Sequence, residues 1–324
     1  MNLVALHRRT VLALLALGAS AMGQSINAGG NGLGSPGNSF EAGGPTIVPH
    51  GTNKVEGQPT AGSTSALSPI INHGGGTMIT PTPYLIWYGN WNQNNGSDTA
   101  AGQQIVRDFI FGDNDSPYFQ INTTYSGPSG FINYTGVPGV HETSVAATIG
   151  NLTDNGVANL VANAINSGKL PKDANGVYFV LTSSNIAKSG FCSQYCGWHT
   201  YGTLGGTAIK YAFVGNANRC LNACAAQTIS PNGNAGVDGM VSVIAHELEE
   251  ATTDPDLNAW YDGSGAENAD KCAWTFGHNQ SVINGAYYNM TLPTPAGGSR
   301  NYLIQRNLSA NDNKCYVNFM TKAQ

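Results

Sequence analysis

The sequence predicts an α/β domain in which helices pack on a mixed β-sheet and disulfides brace the fold. Short apolar, β-rich runs alternate with segments of helical periodicity, which is the pattern of a layered α/β domain. Six cysteines follow an N-terminal export signal, which favours disulfides. The predicted elements follow in the order strand, helix, strand, helix, two strands and helix. Short apolar strands leave the strand order in the sheet open.

The chain of 324 residues divides into three parts by composition. Residues 1–23 are predicted to be a secretory signal peptide, because Arg8 and Arg9 precede a short apolar run and a small-residue cleavage site. Residues 24–76 are rich in Gly, Ser, Pro and Asn and are predicted to be a disordered linker. Residues 77–324 remain as a single domain. We therefore expect a secreted, extracellular protein, or one held in a periplasm or cell wall.

The composition argues against several classes of function. Charged residues make up 10% of the chain, the formal net charge is -5, and no basic cluster is present, so we expect no nucleic-acid partner. Beyond the signal, no apolar run is long enough for a membrane span. The sequence contains no P-loop, no dinucleotide-binding fingerprint and no nucleophile elbow.

The secondary-structure elements follow from periodicity. Apolar residues at helical spacing predict helices over 99–112 and 157–170. Runs rich in β-branched and aromatic residues, bounded by turn residues, predict strands. These strands cover 83–91, 118–125, 177–182, 208–214, 287–292, 302–305 and 315–319.

A third predicted helix, over 236–255, combines strong periodicity with the densest set of ionisable residues. Its apolar face consists of Val237, Met240, Val241, Ile244, Leu248 and Ala251. His246 and Glu250 lie one turn apart beside that face, Glu247 lies on its border, and Glu249 points to the far side.

The residues AHELEE resemble the zincin motif H-E-x-x-H, in which two histidines one turn apart hold zinc and the glutamate between them is the general base. Here Glu250 replaces the second histidine, so the motif is an HExxE variant. The order of the predicted elements also resembles that of a zincin catalytic domain, which implies a zincin-like layout. One imidazole and two carboxylates form a harder donor set, which favours Zn less decisively over Mn or Ca. Glu247 would then activate a metal-bound water that attacks a carbonyl. The alternative is a solvated acidic helix end with a chance histidine.

A third ligand must come from the segment that follows the helix. Asp254 lies eight residues beyond His246, about 12 Å along a straight helix, and cannot share a metal ion with it. The remaining candidates are Asp256, Asp262, Glu267 and Asp270. We choose Glu267 as the ligand and Asp270 as the residue that orients His246 through its second ring nitrogen, as in the gluzincins. The alternative for both residues is an ordinary acidic turn.

Other residues near this segment are harder to assign. Tyr261, His278 and Tyr287 are candidates for stabilising the oxyanion of a hydrolytic reaction, and the sequence does not choose among them. His199, in the segment CGWHTYG, is interpreted as a structural histidine in a turn.

The six cysteines are interpreted as three disulfides. Their spacing favours Cys192–Cys196, Cys220–Cys224 and Cys272–Cys315. The alternative is that the two C-x3-C pairs bind zinc, which an oxidising compartment disfavours.

Several segments together resemble the exordium family, also called phosphate-induced proteins. These segments are PYLIWYGNW, VYFVLTSSNI, GFCSQYCGWH, YAFVGNANRCLNAC and ISPNGNAGVDGMV, and Cys272 and Cys315 match a late cysteine pair of the family. The resemblance implies an extracellular or wall-associated protein linked to growth, with no established biochemical activity. We expect the plant members to carry apolar residues in place of AHELEE, so the resemblance implies compartment and fold but not chemistry.

Together these observations predict a secreted, metal-dependent hydrolase of the metallopeptidase type, which acts on extracellular proteins or peptides. One alternative is a non-enzymatic exordium-type protein that acts on cell-wall material and holds a structural metal or none. Another is a Ca-binding adhesion domain, because most of the candidate ligands are oxygen atoms.

Overall fold

The computed structural model describes residues 46–47, 68–133, 140–147, 150–278 and 280–318. The predicted signal peptide and most of the predicted linker lie outside these residues. Residues 68–76 fall inside the predicted linker, yet they pack with the domain. Ile70 is buried, and the backbone of Ile71–Asn72 pairs with Trp260–Tyr261. The folded domain therefore begins before the boundary predicted at residue 77.

Most strands of the domain are short. In chain order they are β1 (Thr46–Ile47), β2 (Ile71–Asn72), β3 (Thr82–Tyr88), β4 (Ser126–Gly127), β5 (Gly130–Phe131), β6 (His141–Val145), β7 (Gly150–Leu152), β8 (Gly176–Thr182), β9 (Ile186–Lys188), β10 (Gly197–Leu204), β11 (Thr207–Gly215), β12 (Trp260–Tyr261), β13 (Ser281–Ile283), β14 (Ala286–Tyr288), β15 (Met290–Pro293), β16 (Ser299–Tyr302), β17 (Asn307–Ser309) and β18 (Lys314–Tyr316). Six of them form the central sheet in the order β1-β10-β11-β8-β3-β6. Strands β11, β8, β3 and β6 are parallel to one another, β10 pairs antiparallel with β11, and β1 pairs antiparallel with β10, so the sheet is mixed as predicted.

The helices are α1 (Ala100–Asp113), α2 (Asp154–Asn166), α3 (Leu221–Cys224) and α4 (Ala235–Thr253). Side-chain oxygens of Thr99, Thr153 and Asn234 accept backbone N–H groups at the starts of α1, α2 and α4, which satisfies donors that the helices leave unpaired. Helix α2 packs against β3, β8 and β11, whereas α4 packs against α1, β10 and β11. No helix in the described part of the chain has the length and apolarity to cross a bilayer.

The strand predicted at 118–125 is wrong. Residues Phe119–Thr124 form a 3-10 helix, because the Ser116 hydroxyl accepts the backbone N–H of Phe119 and starts a local turn. The aromatic side chains of this segment are buried as a strand's would be, so the apolar signal was real and only the backbone conformation differed.

Helix α4 is buried on nearly all sides. Its predicted apolar face is fully covered, and Glu247, Glu249 and Glu250 are 0% exposed. The alternative of a solvated acidic helix end is therefore excluded. The zincin-like layout is not supported by the observed architecture either.

The disulfides correct two of the three predicted pairings. Cys192 bonds to Cys220 and Cys196 bonds to Cys224, whereas Cys272–Cys315 is confirmed. Cys220 and Cys224 flank one turn of helix α3 and point the same way, so both face the other C-x3-C segment. The described residues contain no free cysteine, which excludes a zinc site made of these pairs.

Candidate functional site

Three parts of the chain bring ionisable side chains together beneath the last turns of α4. The helix supplies His246, Glu247 and Glu250, β10 supplies His199, and the segment after the helix supplies Glu267 and Asp270. We call these six residues the His/Glu cluster. Gly197 lies against it, because a Cβ at this position would stand 2.9 Å from Glu247 Oε1 and 2.5 Å from Val243 Cγ1. Glycine therefore makes room for the Glu247 carboxylate.

His199 is surrounded by three carboxylates. Its Nδ1 lies 3.5 Å from Glu247 Oε2 and 3.6 Å from Glu250 Oε2, and its Nε2 lies 3.7 Å from Glu267 Oε2. None of these contacts is a hydrogen bond. Two ligands of one metal ion, each bound at about 2.1 Å, lie about 3.0–3.5 Å apart. The spacings of Glu247 and Glu250 from Nδ1 are close to those of ligands that share an ion, and Glu267 lies at a similar distance from the other ring nitrogen.

His246 is held from both sides of its ring. Its Nε2 lies 2.9 Å from Glu250 Oε1 and 3.5 Å from Asp270 Oδ1, but at angles that make no hydrogen bond. The Gln305 amide nitrogen contacts Nδ1. Turning the amide over by 180° places its oxygen there instead, where it accepts Nδ1–H and leaves Nε2 unprotonated as a ligand atom. A second partner that fixes the ring in this way is typical of metal-ligating histidines.

The cluster is buried and short of hydrogen-bond donors. His199, His246, Glu247, Glu250 and Glu267 are at most 2% exposed. No described residue donates a hydrogen bond to Glu247 Oε1 or Oε2, Glu250 Oε2, or Glu267 Oε1 or Oε2. Buried carboxylates without donors are costly unless a cation neutralises them. The chemistry of this donor set therefore fits a metal ion.

The pKa values of the cluster reflect the same excess of negative charge. Burial opposes protonation of His199, but the nearby carboxylates of Glu247 and Glu250 raise its pKa to about 9. Burial raises the pKa of Glu247 to about 7 and, with the charge of Glu250, raises that of Glu267 well above its usual range. Burial also opposes ionisation of Glu250, but the neighbouring His246 lowers its pKa to about 2. Protonation of one side chain therefore changes the pKa of its neighbours, whereas a bound cation would neutralise the carboxylates together.

Comparison with known proteins identifies the family. The family model "Phosphate-induced protein 1 conserved region" matches residues 72–317, which include the whole His/Glu cluster. The chain belongs to the exordium family. It is 30% identical to Protein EXORDIUM-like 5 of Arabidopsis thaliana over 273 residues, which are 71% of this chain and 72% of that protein.

This exordium-family chain is also similar to two further relatives. It is 31% identical to Protein EXORDIUM-like 3 of Arabidopsis thaliana over 266 residues (69% of this chain, 75% of that protein). It is 35% identical to Protein PHOSPHATE-INDUCED 1 of Nicotiana tabacum over 112 residues (28% of this chain, 34% of that protein). No solved structure matches the chain. The relatives' names state no enzymatic activity, so the chemistry of the site rests on its own residues.

The structure of this exordium-family chain redistributes the predicted ligands. Its ligand atoms form two groups of three, His199–Glu250–Glu267 and His246–Glu250–Asp270, each within 4.8 Å of one another. The predicted trio of His246, Glu250 and Glu267 is thus divided between them, with Glu250 in both. Asp270 faces the same ring nitrogen of His246 as Glu250 does, and Gln305 takes the orienting position that was predicted for Asp270.

The other acidic candidates lie apart from the cluster or end the helix. Asp254 terminates α4, and its Oδ1 accepts the N–H groups of Asn258 and Ala259 at 2.6 Å each, which fits the turn predicted there. Asp256 pairs with Lys210 at 3.5 Å, and Asp262 pairs with Lys271.

The oxyanion candidates have contacts elsewhere. Tyr261 stacks on His73 with ring centroids 3.7 Å apart, the backbone N–H of Tyr287 donates to Gln227, and His278 is exposed. None of these contacts joins them to the His/Glu cluster.

Sequence reasoning missed His199 and Gln305. The residues WHTYGTL are rich in aromatic and β-branched side chains, which is a strand signal, but the adjacent cysteines and glycines favoured a turn. In β10, Trp198 and His199 point to opposite faces of the sheet, so His199 faces α4. Gln305 carries no motif, and only the tertiary fold brings it to His246.

Proposed function

We propose that this protein is an exported exordium-family protein that binds a divalent transition metal in the His/Glu cluster. The ion would tie α4 to β10 and to the segment 267–270. These parts of the chain are far apart in sequence, so a common ligand that binds only the folded state stabilises that state. Export is supported by the three disulfides, which persist in oxidising compartments.

One observation carries the proposal. Both oxygens of Glu247 and Glu267, and both ring nitrogens of His199, are buried without a hydrogen-bond partner among the described residues. In addition, the cluster lies at the C-terminal end of α4, where the helix dipole adds negative potential and favours a cation. Hydrogen bonding within the protein does not compensate this charge, and a divalent ion does.

The donor set narrows the choice of metal. Each group of three contributes one imidazole nitrogen and carboxylate oxygens. Imidazole suits Zn and other transition metals, whereas sites made only of oxygen suit Ca. We therefore propose Zn or Mn in preference to Ca, and the adhesion-domain alternative loses its main argument.

Metal analysis of the purified, disulfide-bonded protein tests the proposal. We expect bound Zn or Mn by mass spectrometry, and we expect Glu250→Ala to lose it, because Glu250 belongs to both groups. Glu249→Gln is the matched control. Glu249 is equally buried on the same helix, but its Oε2 accepts a hydrogen bond from Asn307 and it belongs to neither group. Wild-type protein that binds neither Zn nor Mn when they are supplied would overturn the proposal.

A metal-dependent hydrolase of the metallopeptidase type is the second candidate. It is favoured by Glu247, which lies 3.5 Å from His199 but belongs to neither ligand group, so its carboxylate remains available as a general base. A bound metal would supply an activated water for attack on a carbonyl. Only Asp270, whose side chain is 20% exposed, connects the cluster with the surface, so this candidate also requires a path for the substrate.

Activity against a peptide library separates the two candidates. A hydrolase would cleave peptides when loaded with Zn, and Glu247→Gln would retain the metal while losing cleavage. Metal-loaded protein that cleaves nothing, but unfolds at a lower temperature after chelation, supports the structural role and rejects the hydrolase.

A further inference from the structure

Glu250 has a different partner at each oxygen. Its Oε2 lies 3.6 Å from His199 Nδ1, and its Oε1 lies 2.9 Å from His246 Nε2. The backbone N–H of Asp270 donates to Oε1 at 3.0 Å, which fixes the carboxylate in this orientation. The Glu250 carboxylate therefore has one oxygen near His199 and the other near His246.

The remaining ligands divide along the same line. Glu267 lies on the His199 side, with its Oε2 3.7 Å from the imidazole, and Asp270 lies on the His246 side, with its Oδ1 3.5 Å from the ring. The two groups of possible ligands share only Glu250. Among the described residues, no group of three or more ligand atoms that lie within 4.8 Å of one another includes both His199 and His246, so the two imidazoles mark two separate positions for an ion.

Charge balance points to the same number of ions. Glu247, Glu250, Glu267 and Asp270 carry four negative charges when ionised, and with neutral imidazoles a single divalent ion leaves two of them uncompensated. Two divalent ions neutralise all four. Asp254 lies next to Glu267, and its negative charge adds to the excess that a single divalent ion would leave.

From this geometry we infer that the cluster is a dinuclear centre, in which Glu250 bridges one divalent ion held with His199 and Glu267 and another held with His246 and Asp270. Glu247 lies on the His199 side and supplies the fourth of the negative charges that two divalent ions neutralise. Paired ions about 3.5–4 Å apart are a known arrangement in proteins, and a carboxylate that binds through both oxygens suits that separation. The inference deepens the proposed function and rests on it.

Mn2+ is the probe that tests this inference, because its electron paramagnetic resonance spectrum reports on neighbouring ions. Titration of metal-free protein should end at two equivalents of Mn2+ per chain, and the spectrum should be that of an exchange-coupled pair. One equivalent with the spectrum of an isolated ion would overturn the dinuclear centre while leaving the proposed function intact. No binding of Mn2+ or Zn2+ would overturn both.

Two single variants locate the ions. His199→Ala and His246→Ala should each retain one equivalent of Mn2+ and lose the coupled spectrum, whereas Glu249→Gln should keep both. If either histidine variant loses all metal but keeps the wild-type near-ultraviolet circular dichroism, the ions do not occupy separate groups and the inference fails. The titration of the wild type decides the case even if a variant does not fold.

Discussion

Two buried carboxylates in this domain, those of Asp98 and Glu247, differ in how many hydrogen bonds they accept. Asp98 is 0% exposed, and its oxygens accept five hydrogen bonds. The donors are Ser184 N, Ser184 Oγ, Asn216 Nδ2, Gln93 Nε2 and Asn95 Nδ2. Glu247 is equally buried and accepts none. The chain can build a full shell of donors around a carboxylate, so their absence around Glu247 indicates that this part of the fold suits a cation.

Chelation should have the largest effect and should act on only one of the two regions. Metal at about 1,000 times its dissociation constant stabilises the folded state by about 4 kcal/mol, so metal removal should lower the free energy of unfolding by about that amount. Urea unfolding with and without EDTA measures the loss. Hydrogen exchange should show faster exchange around Glu250 and unchanged exchange around Asp98. Equal changes in both regions would contradict the distinction between them.

Asp98→Asn should cause the next largest loss in the free energy of unfolding. The amide would turn an NH2 group towards donors that now share a carboxylate, so we expect a loss of about 3 kcal/mol in the free energy of unfolding. The loss should be the same with and without EDTA, because no metal ligand is touched. A loss that disappears in EDTA would mean that the two regions are energetically coupled.

Asp113 provides an intermediate case. It is buried, the Ser116 hydroxyl is its one side-chain donor among the described residues, and burial raises its pKa to about 7. Because the folded-state pKa lies above the unfolded value, Asp113 costs stability as pH rises from about 4 to about 7. Asp113→Asn should therefore stabilise the protein at pH 8 and change its stability hardly at all at pH 4. An equal effect at both pH values in urea unfolding would refute this explanation.

Glu247→Gln in chelated protein should have the smallest effect and the opposite sign to Asp98→Asn. It removes an uncompensated buried charge, so we expect a gain of about 1 kcal/mol in EDTA. With metal present, the same variant should be destabilised, because one negative charge facing the ions is lost. A loss of stability in EDTA comparable to that of Asp98→Asn would show that Glu247 has donors of its own.

Much of the fold could be predicted because local patterns determine it. The apolar periodicity of α4 and the β-rich runs of β3, β8 and β11 were all interpreted correctly. The burial of Glu249 was not predicted, because a helical wheel assumes that one side of the helix faces water, and α4 is covered on nearly all sides.

Only those residues of the candidate site that share one helix could be predicted directly from the sequence. His246, Glu247 and Glu250 are joined by helical spacing, which sequence shows directly. The contact between His199 and Glu247 depends on the register of β10 with β11 and on how α4 packs against the sheet. Likewise, the partners of Cys220 and Cys224 depend on which way α3 faces, and cysteine spacing does not contain that information.

The disulfides have a practical consequence for anyone who prepares this protein. Cys196–Cys224 begins three residues before His199, and Cys272–Cys315 begins two residues after Asp270. Both cross-links therefore anchor backbone that carries ligands from outside α4. Material made in a reducing bacterial cytosol would lack both anchors, and a negative metal assay on it would describe an incompletely folded chain. Oxidative folding has to come first, with metal loading as the later step.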